Sequence, residues 1–131
     1  MALILLAEDD TALSGLLKEA LEARGHRIEQ AFNGVEASEK ALLLRPALII
    51  LDVQMPDLYG GAVYNMIQRQ EATKGTPVIF MSGLHRDTLE SILPSGPSVR
   101  ILSKPVDLKL LEETINSLLP SQAAKQPSAK A

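Results

Sequence analysis

Two hydrophobic periodicities alternate along this chain. Short apolar runs recur at Leu3–Ala7, Ala47–Leu51 and Val78–Met81, with a mostly apolar one at Val99–Leu102, and each is followed by a stretch whose apolar residues return every three or four positions. The first, second and third runs have no polar residue at alternate positions, which suits strands covered on both faces, as in a parallel sheet flanked by helices. A further segment, Arg27–Ala31, places Ile28 and Gln30 opposite Glu29 and Ala31, predicting a weaker, half-exposed strand.

The intervening stretches predict five helices. The first carries Leu13, Leu16, Leu17, Ala20 and Leu21; Asp10 or Thr11 caps its start, and Gly25 suits the left-handed position after its last turn. The second follows the Asn33-Gly34 turn signal, carries Val35, Ala41, Leu42 and Leu44, and stops before Pro46. The third spans Ala62–Ala72 through Val63, Met66 and Ile67. The fourth is short, with Leu89, Ile92 and Leu93 and a capping pair of Asp87 and Glu90. The fifth runs from an Asp107 cap through Leu108, Leu111, Ile115 and Leu118, and Pro120 ends it. Five strands alternating with five helices predict an α/β domain with a doubly wound, five-stranded, mostly parallel sheet.

The length of 131 residues suits one domain, expected over residues 1–119, with PSQAAKQPSAKA at 120–131 as a tail or linker that has nothing to bury. Aromatic residues make up only 3%, so the core must be aliphatic. A formal net charge of −3 gives no electrostatic footprint for nucleic acid or an anionic membrane, and neither is expected as a direct partner. The absence of cysteine excludes disulfides, thiolate metal sites and cysteine nucleophiles, and it fits a cytoplasmic protein. The ALILLA run is cut by Glu8-Asp9-Asp10, too short for a membrane span or a signal core.

The chemistry sits at the strand ends. The first strand ends in Glu8-Asp9, the third in Asp52, the fourth in Ser82 and the fifth in Lys104. Singly, an acidic run after a strand is more often a helix cap, a serine a turn residue and a lysine a solvated charge. In a parallel sheet, however, all four ends lie on one edge, where open α/β sheets bind ligands. Carboxylates at close range repel one another, and a hard divalent cation with oxygen ligands relieves this; magnesium takes one or two carboxylates and bridges to phosphate. So screened, Asp52 could attack phosphorus as a carboxylate nucleophile, with Lys104 pairing with the phosphoryl oxygens and Ser82 hydrogen-bonding one of them.

On these motifs (Glu8-Asp9, Asp52-Val-Gln-Met-Pro-Asp57 with Gly60, Ser82-Gly83 and Lys104-Pro105) residues 3 to about 119 resemble the receiver, or response-regulator, domains of two-component signalling. The resemblance implies a flavodoxin-like sheet in the order 2-1-3-4-5. It implies that Asp52 is the phosphoacceptor, charged by a histidine kinase or a histidine phosphotransfer protein. Asp9 and Asp52 would ligate Mg2+ together with the backbone carbonyl of Gln54, while Glu8 acts through water. Ser82 and Lys104 would be switch and phosphate-binding residues, and Lys104-Pro105 a cis peptide. The protein would be a switch at the fourth helix, fifth strand and fifth helix rather than an enzyme, with self-catalysed phosphotransfer and autodephosphorylation tuned by Gln54 and Leu84. Its downstream partner is not given by the sequence.

The chain departs from the family pattern where an aromatic residue is common on the fifth strand, which carries Ile101, and again at Val106. Three other readings compete. A receiver-like protein-binding module would keep the acidic pocket without turning over phosphate. A phosphohydrolase of the haloacid-dehalogenase type would need its nucleophile after the first strand, as Asp-x-Asp, and an enclosing cap. A flavodoxin-type flavin binder would need a phosphate loop where this chain has carboxylates.

Overall fold

The computed structural model describes residues 2–55, 60–84 and 86–119. Five strands, β1 (Leu3–Ala7), β2 (Arg27–Ala31), β3 (Leu48–Asp52), β4 (Val78–Ser82) and β5 (Val99–Ser103), form one sheet in the order β2-β1-β3-β4-β5. Every neighbouring pair is parallel. Five helices connect and follow them: α1 (Thr11–Glu22), α2 (Gly34–Leu44), α3 (Gly60–Gln68), α4 (Arg86–Ile92) and α5 (Leu108–Leu118). The expected doubly wound architecture and strand order are therefore both present.

β1, β3 and β4 bury both faces, as their unbroken apolar runs require. Leu5, Ala7, Ile49, Leu51, Val78 and Phe80 pack with Ala37, Ala41, Val63, Ile67 and Leu89 of α2, α3 and α4. Their alternate neighbours, Ile4, Leu6, Leu48, Ile50, Ile79 and Met81, pack with Leu17, Leu21, Leu111 and Ile115 of α1 and α5. β2 lies at the edge and is only partly buried, with Ile28 and Ala31 covered, Glu29 and Gln30 half-buried and Arg27 exposed, in agreement with its mixed composition.

Local chemistry sets the helix ends. The Asp10 carboxylate accepts the Leu13 N–H at 3.0 Å, and Asp107 accepts from Lys109 and Leu110 at 2.9 and 3.2 Å. Asn33 caps α2 by accepting the Glu36 N–H at 2.8 Å, while the Glu36 side chain reaches back to the Phe32 N–H at 2.7 Å. Gly25 takes φ +96°, as its place after α1 demanded.

Two expectations about the helices need correction. α3 ends at Gln68, not Ala72. Beyond it the backbone tightens into three-residue turns, and the buried Thr73 hydroxyl donates to the Ile67 carbonyl at 2.7 Å, taking up an acceptor the helix would otherwise have extended through. The second correction concerns faces. Leu16, Val35, Leu42, Met66 and Ile92 fit the predicted stripes but are exposed. On α2 the buried face consists of Gly34, Ala37, Ser38 and Ala41, small residues that turn the larger side chains outward. The expected turn at Pro56-Asp57 and the tail or linker at 120–131 lie outside the described residues.

Arg45, at the C-terminus of α2, has φ +48°, a left-handed conformation that costs a side-chain-bearing residue about 1 kcal/mol. Arg45→Gly is expected to stabilise the domain by roughly 0.5–1 kcal/mol in urea denaturation, with an unchanged denaturant slope.

Candidate functional site

The carboxyl edge of the sheet gathers the charged residues. β1 is buried up to Ala7, and pairing with β2 continues one residue further through the Glu8 N–H to Ala31 carbonyl bond of 3.0 Å. Glu8 is therefore drawn inside, with 0% of its surface exposed, whereas Asp9 beside it is exposed. The N–H of Asp10 donates to Glu8 Oε2 at 3.0 Å. Asp10 thus serves the α1 cap, leaving Glu8 and Asp9 for the pocket.

β3 delivers Asp52 to the same place, 3% exposed. Its Oδ1 accepts the Gln54 N–H at 3.0 Å, which fixes the carboxylate plane, and Gln54 itself is exposed. Carboxylate oxygens of Glu8, Asp9 and Asp52 all lie within 4.8 Å of one another. β4 and β5 bring the remaining groups. The Lys104 N–H donates to the Ser82 carbonyl at 2.8 Å, and the Lys104-Pro105 bond is cis, as the resemblance implied. Lys104 Nζ lies 2.8 Å from Glu8 Oε1 and 3.5 Å from Asp52 Oδ2. Ser82 is wholly buried, and its Oγ accepts the Leu84 N–H at 3.0 Å.

Electrostatics follow from that geometry. Burial pushes the Asp52 carboxyl up, the Gln54 hydrogen bond opposes it, Glu8 raises it further and Lys104 pulls it down; the balance leaves it at about 7. For Lys104, burial works against the ammonium, but the Glu8 carboxylate and then Asp52 outweigh it and raise the group. Two carboxylates, Glu8 and Asp52, thus share one ammonium, with the Asp9 carboxylate close to both. Glu8 Oε1 is buried, and among the described residues its one partner is the Lys104 ammonium at 2.8 Å. An all-oxygen donor set with excess negative charge and an under-satisfied buried oxygen fits a hard divalent cation such as magnesium.

All of the sequence-predicted groups, Glu8, Asp9, Asp52, Gln54, Ser82 and Lys104, lie at this edge. What sequence reasoning missed is the direct Glu8–Lys104 pair. Its signal was the uninterrupted apolar run before Glu8, which leaves that residue no solvated exit. Two surface grooves also went unread. One of about 450 Å³ runs between α1 and the start of α5, lined by Leu13, Leu16, Leu17, Ala20, Val106 and Leu108. Another of about 380 Å³ lies along α4, β5 and α5, lined by Leu93, Pro94, Val99, Arg100, Ile101 and Thr114.

A five-stranded parallel sheet with converging acidic and lysine side chains at its carboxyl edge defines the class of the receiver fold. The profile of the response regulator receiver domain matches residues 4–116, and the chain belongs to that family. It is 40% identical over 113 residues to the transcriptional regulatory protein CrdR of Helicobacter pylori, covering 86% of this chain and 52% of that protein. It is 28% identical to the polar-differentiation response regulator DivK of Brucella anthropi, covering 88% of this chain and 94% of DivK. The signal receiver domain of a histidine kinase from Syntrophus aciditrophicus superposes with a TM-score of 0.82 at 30% identity, covering 100% of this chain and 98% of that one. The chain spans about half the length of the transcriptional regulators it matches. Among the described residues no helix is long and apolar enough to cross a membrane.

A carboxyl whose folded-state pKa is raised contributes stability below its unfolded value of about 3.8 and loses it as pH climbs through about 7. Asp52→Asn removes that penalty and keeps an oxygen for the Gln54 N–H. Without divalent cations, the variant is expected to be more stable than wild type at pH 8, on the order of 2–4 kcal/mol. The difference should shrink by more than half at pH 5, as measured by urea denaturation at both pH values.

Proposed function

We propose that this chain is the phosphoacceptor of a two-component relay, with Asp52 receiving a phosphoryl group from a histidine kinase or a histidine phosphotransfer protein. The observation that carries this reading is the buried Asp52 carboxylate within reach of both an acidic cluster and the Lys104 ammonium. An Asp52 oxygen forms the new O–P bond as the N–P bond to the donor imidazole breaks, and its electron pair returns to the ring nitrogen. Glu8, Asp9 and Asp52, with the Gln54 carbonyl, are the residues that would hold Mg2+. Bound there, the cation would neutralise charge on the transferred group and the attacking carboxylate.

The chain's own groups do the rest. The Gln54 N–H orients the Asp52 carboxylate. Lys104 supplies a point charge for the equatorial oxygens, and the Ser82 hydroxyl, whose oxygen accepts the Leu84 N–H, donates its proton to one of them. We assign the output to the face formed by α4, β5 and α5, where Ile101 packs without a ring to relay side-chain rotation and the 380 Å³ groove lies open. The activity is a switch with self-catalysed dephosphorylation rather than turnover of a free substrate. We place it in the cytoplasm, with a kinase or phosphotransfer protein as its phosphodonor partner. With a net charge of −3 we assign these residues no direct contact with nucleic acid.

Acetyl phosphate with Mg2+ is expected to add one phosphoryl mass to the wild type and none to Asp52→Asn. An unlabelled wild type, under conditions that label another receiver, overturns the reading in favour of a protein-binding module. Leu84, half-buried two residues beyond Ser82, donates its N–H to Ser82 Oγ and packs its apolar side chain against the core, and we infer that this side chain slows the approach of water. Leu84→Asn is expected to shorten the phosphoryl lifetime several-fold, as followed by the decay of the intact-mass adduct.

A further inference from the structure

β2 is an outer strand of the sheet, paired with β1 on one side only. The Arg27 N–H donates to the Ala2 carbonyl and the Ala31 carbonyl accepts from the Glu8 N–H, so alternate residues from Arg27 to Ala31 face β1. By the alternation of a strand, the backbone groups of Ile28, Gln30 and Phe32 turn to the free side. Side chains of α2 meet two of them. The Lys40 ammonium donates to the Gln30 carbonyl, and the Glu36 carboxylate accepts the Phe32 N–H at 2.7 Å. Lys40 and Glu36 are themselves paired at 3.2 Å, one turn apart on the helix. In a parallel pair, each bonding residue of an added strand gives its N–H to the carbonyl before its opposite number and accepts the N–H after it. Gln30 and Phe32 flank Ala31 in that relation, so the ammonium and the carboxylate take the places of a sixth strand's N–H and C=O. We infer that the Glu36–Lys40 pair closes the free edge of β2 against strand addition, and that the partner it excludes is β2 of a second copy of this chain.

The Glu36 bond also belongs to the start of α2, where it completes the cap. The Lys40 bond has no such part, since it crosses from the helix to a strand carbonyl ten residues back. The Phe32 N–H holds the Glu36 carboxyl below its ordinary range, against a smaller effect of burial, and Lys40 adds to it; the carboxylate is ionised at neutral pH. A lysine on an edge is a barrier because an incoming strand must strip water from the ammonium and replace it on the carbonyl. The excluded partner follows from β2 itself. Two copies meeting about a two-fold axis would pair their β2 strands antiparallel. With Ile28 opposite Ile28, Arg27 of each copy lies opposite Glu29 of the other, and the second strand crosses the Gln30 carbonyl where Lys40 stands. Arg27 and Glu29 already share one face of the strand, their charged groups 3.9 Å apart, and opposite charges set across strands favour that register. A shift to Ile28 opposite Gln30 would set Glu29 against Glu29.

The test is sedimentation velocity over a concentration series for the wild type, Lys40→Met and Lys40→Arg. Lys40→Met is expected to dimerise about tenfold more tightly than the wild type, or tighter still, because the carbonyl is uncovered and the edge loses its charge. Lys40→Arg keeps a charged donor and should behave as the wild type. Lys40→Ala serves as a second neutral variant should the Met protein fail to fold. In the Met background, Arg27→Glu sets like charges opposite one another and is expected to return association to the wild-type level. Adding Glu29→Arg to that protein restores the opposite pairs and the dimer with them. Equal association of the wild type and the neutral variants overturns the inference, as does a gain shared by Lys40→Arg. A gain that Arg27→Glu leaves intact, or that the charge exchange does not restore, overturns β2 of a second copy as the excluded partner.

Discussion

Burial of two carboxylates at the end of a parallel sheet is the constraint on which the rest of this structure turns. With helices on both faces, the strands of such a sheet leave polar groups only its ends as exits. Glu8 and Asp52 sit at two of those ends and are still almost wholly covered. A carboxylate taken from water costs several kcal/mol unless it is paired or hydrogen-bonded. Here the partners are the Asp10 and Gln54 N–H groups and a single ammonium. That supply falls short of demand, which is why the Asp52 carboxyl stands so far above its ordinary range. The pocket is held in an unsatisfied condition, and an unsatisfied acidic pocket attracts cations.

Much of this was legible in the residue pattern. The strands could be read because a strand buried on both faces is written as an uninterrupted apolar run, and few other structures of that length produce one. The site could be read because topology brings successive strand ends to one edge whatever the loops do. Helix faces were harder. A stripe of leucines every three or four residues marks a helix but does not say which part of the stripe is central, so Leu17 and Leu21 are buried while Leu16 is not. α2 is harder still, since its buried face is made of glycine, alanine and serine, which carry little weight in any hydrophobic pattern. The end of α3 depended on Thr73, a side chain six residues past the carbonyl it satisfies. The Glu8–Lys104 pair joins the first and last strands of the sheet; the apolar run before Glu8 marks that residue as buried but does not name its partner.

Membership of the receiver family and the departures of this chain bear on different parts of the molecule. The acidic edge, with its lysine and serine, is complete. The α4-β5-α5 side differs from the common pattern in carrying Ile101, which packs against the core beneath α4. An aliphatic side chain at that position has no ring to swing between two wells, and a groove lies open beside it.

The hydrogen bond from the Lys104 N–H to the Ser82 carbonyl has a mechanical consequence. It joins the two residues that would meet a phosphoryl group from opposite strands, and it does so through the backbone, at 2.8 Å. Their Cα positions are thus tethered, and any adjustment to an incoming group is divided between side-chain torsions and a joint movement of both strand ends. A displacement at the tip of β4 is passed to β5 without crossing a side-chain contact. The tips of β4 and β5 are thus coupled through the backbone, and α4 and α5 follow directly from those two coupled strand ends.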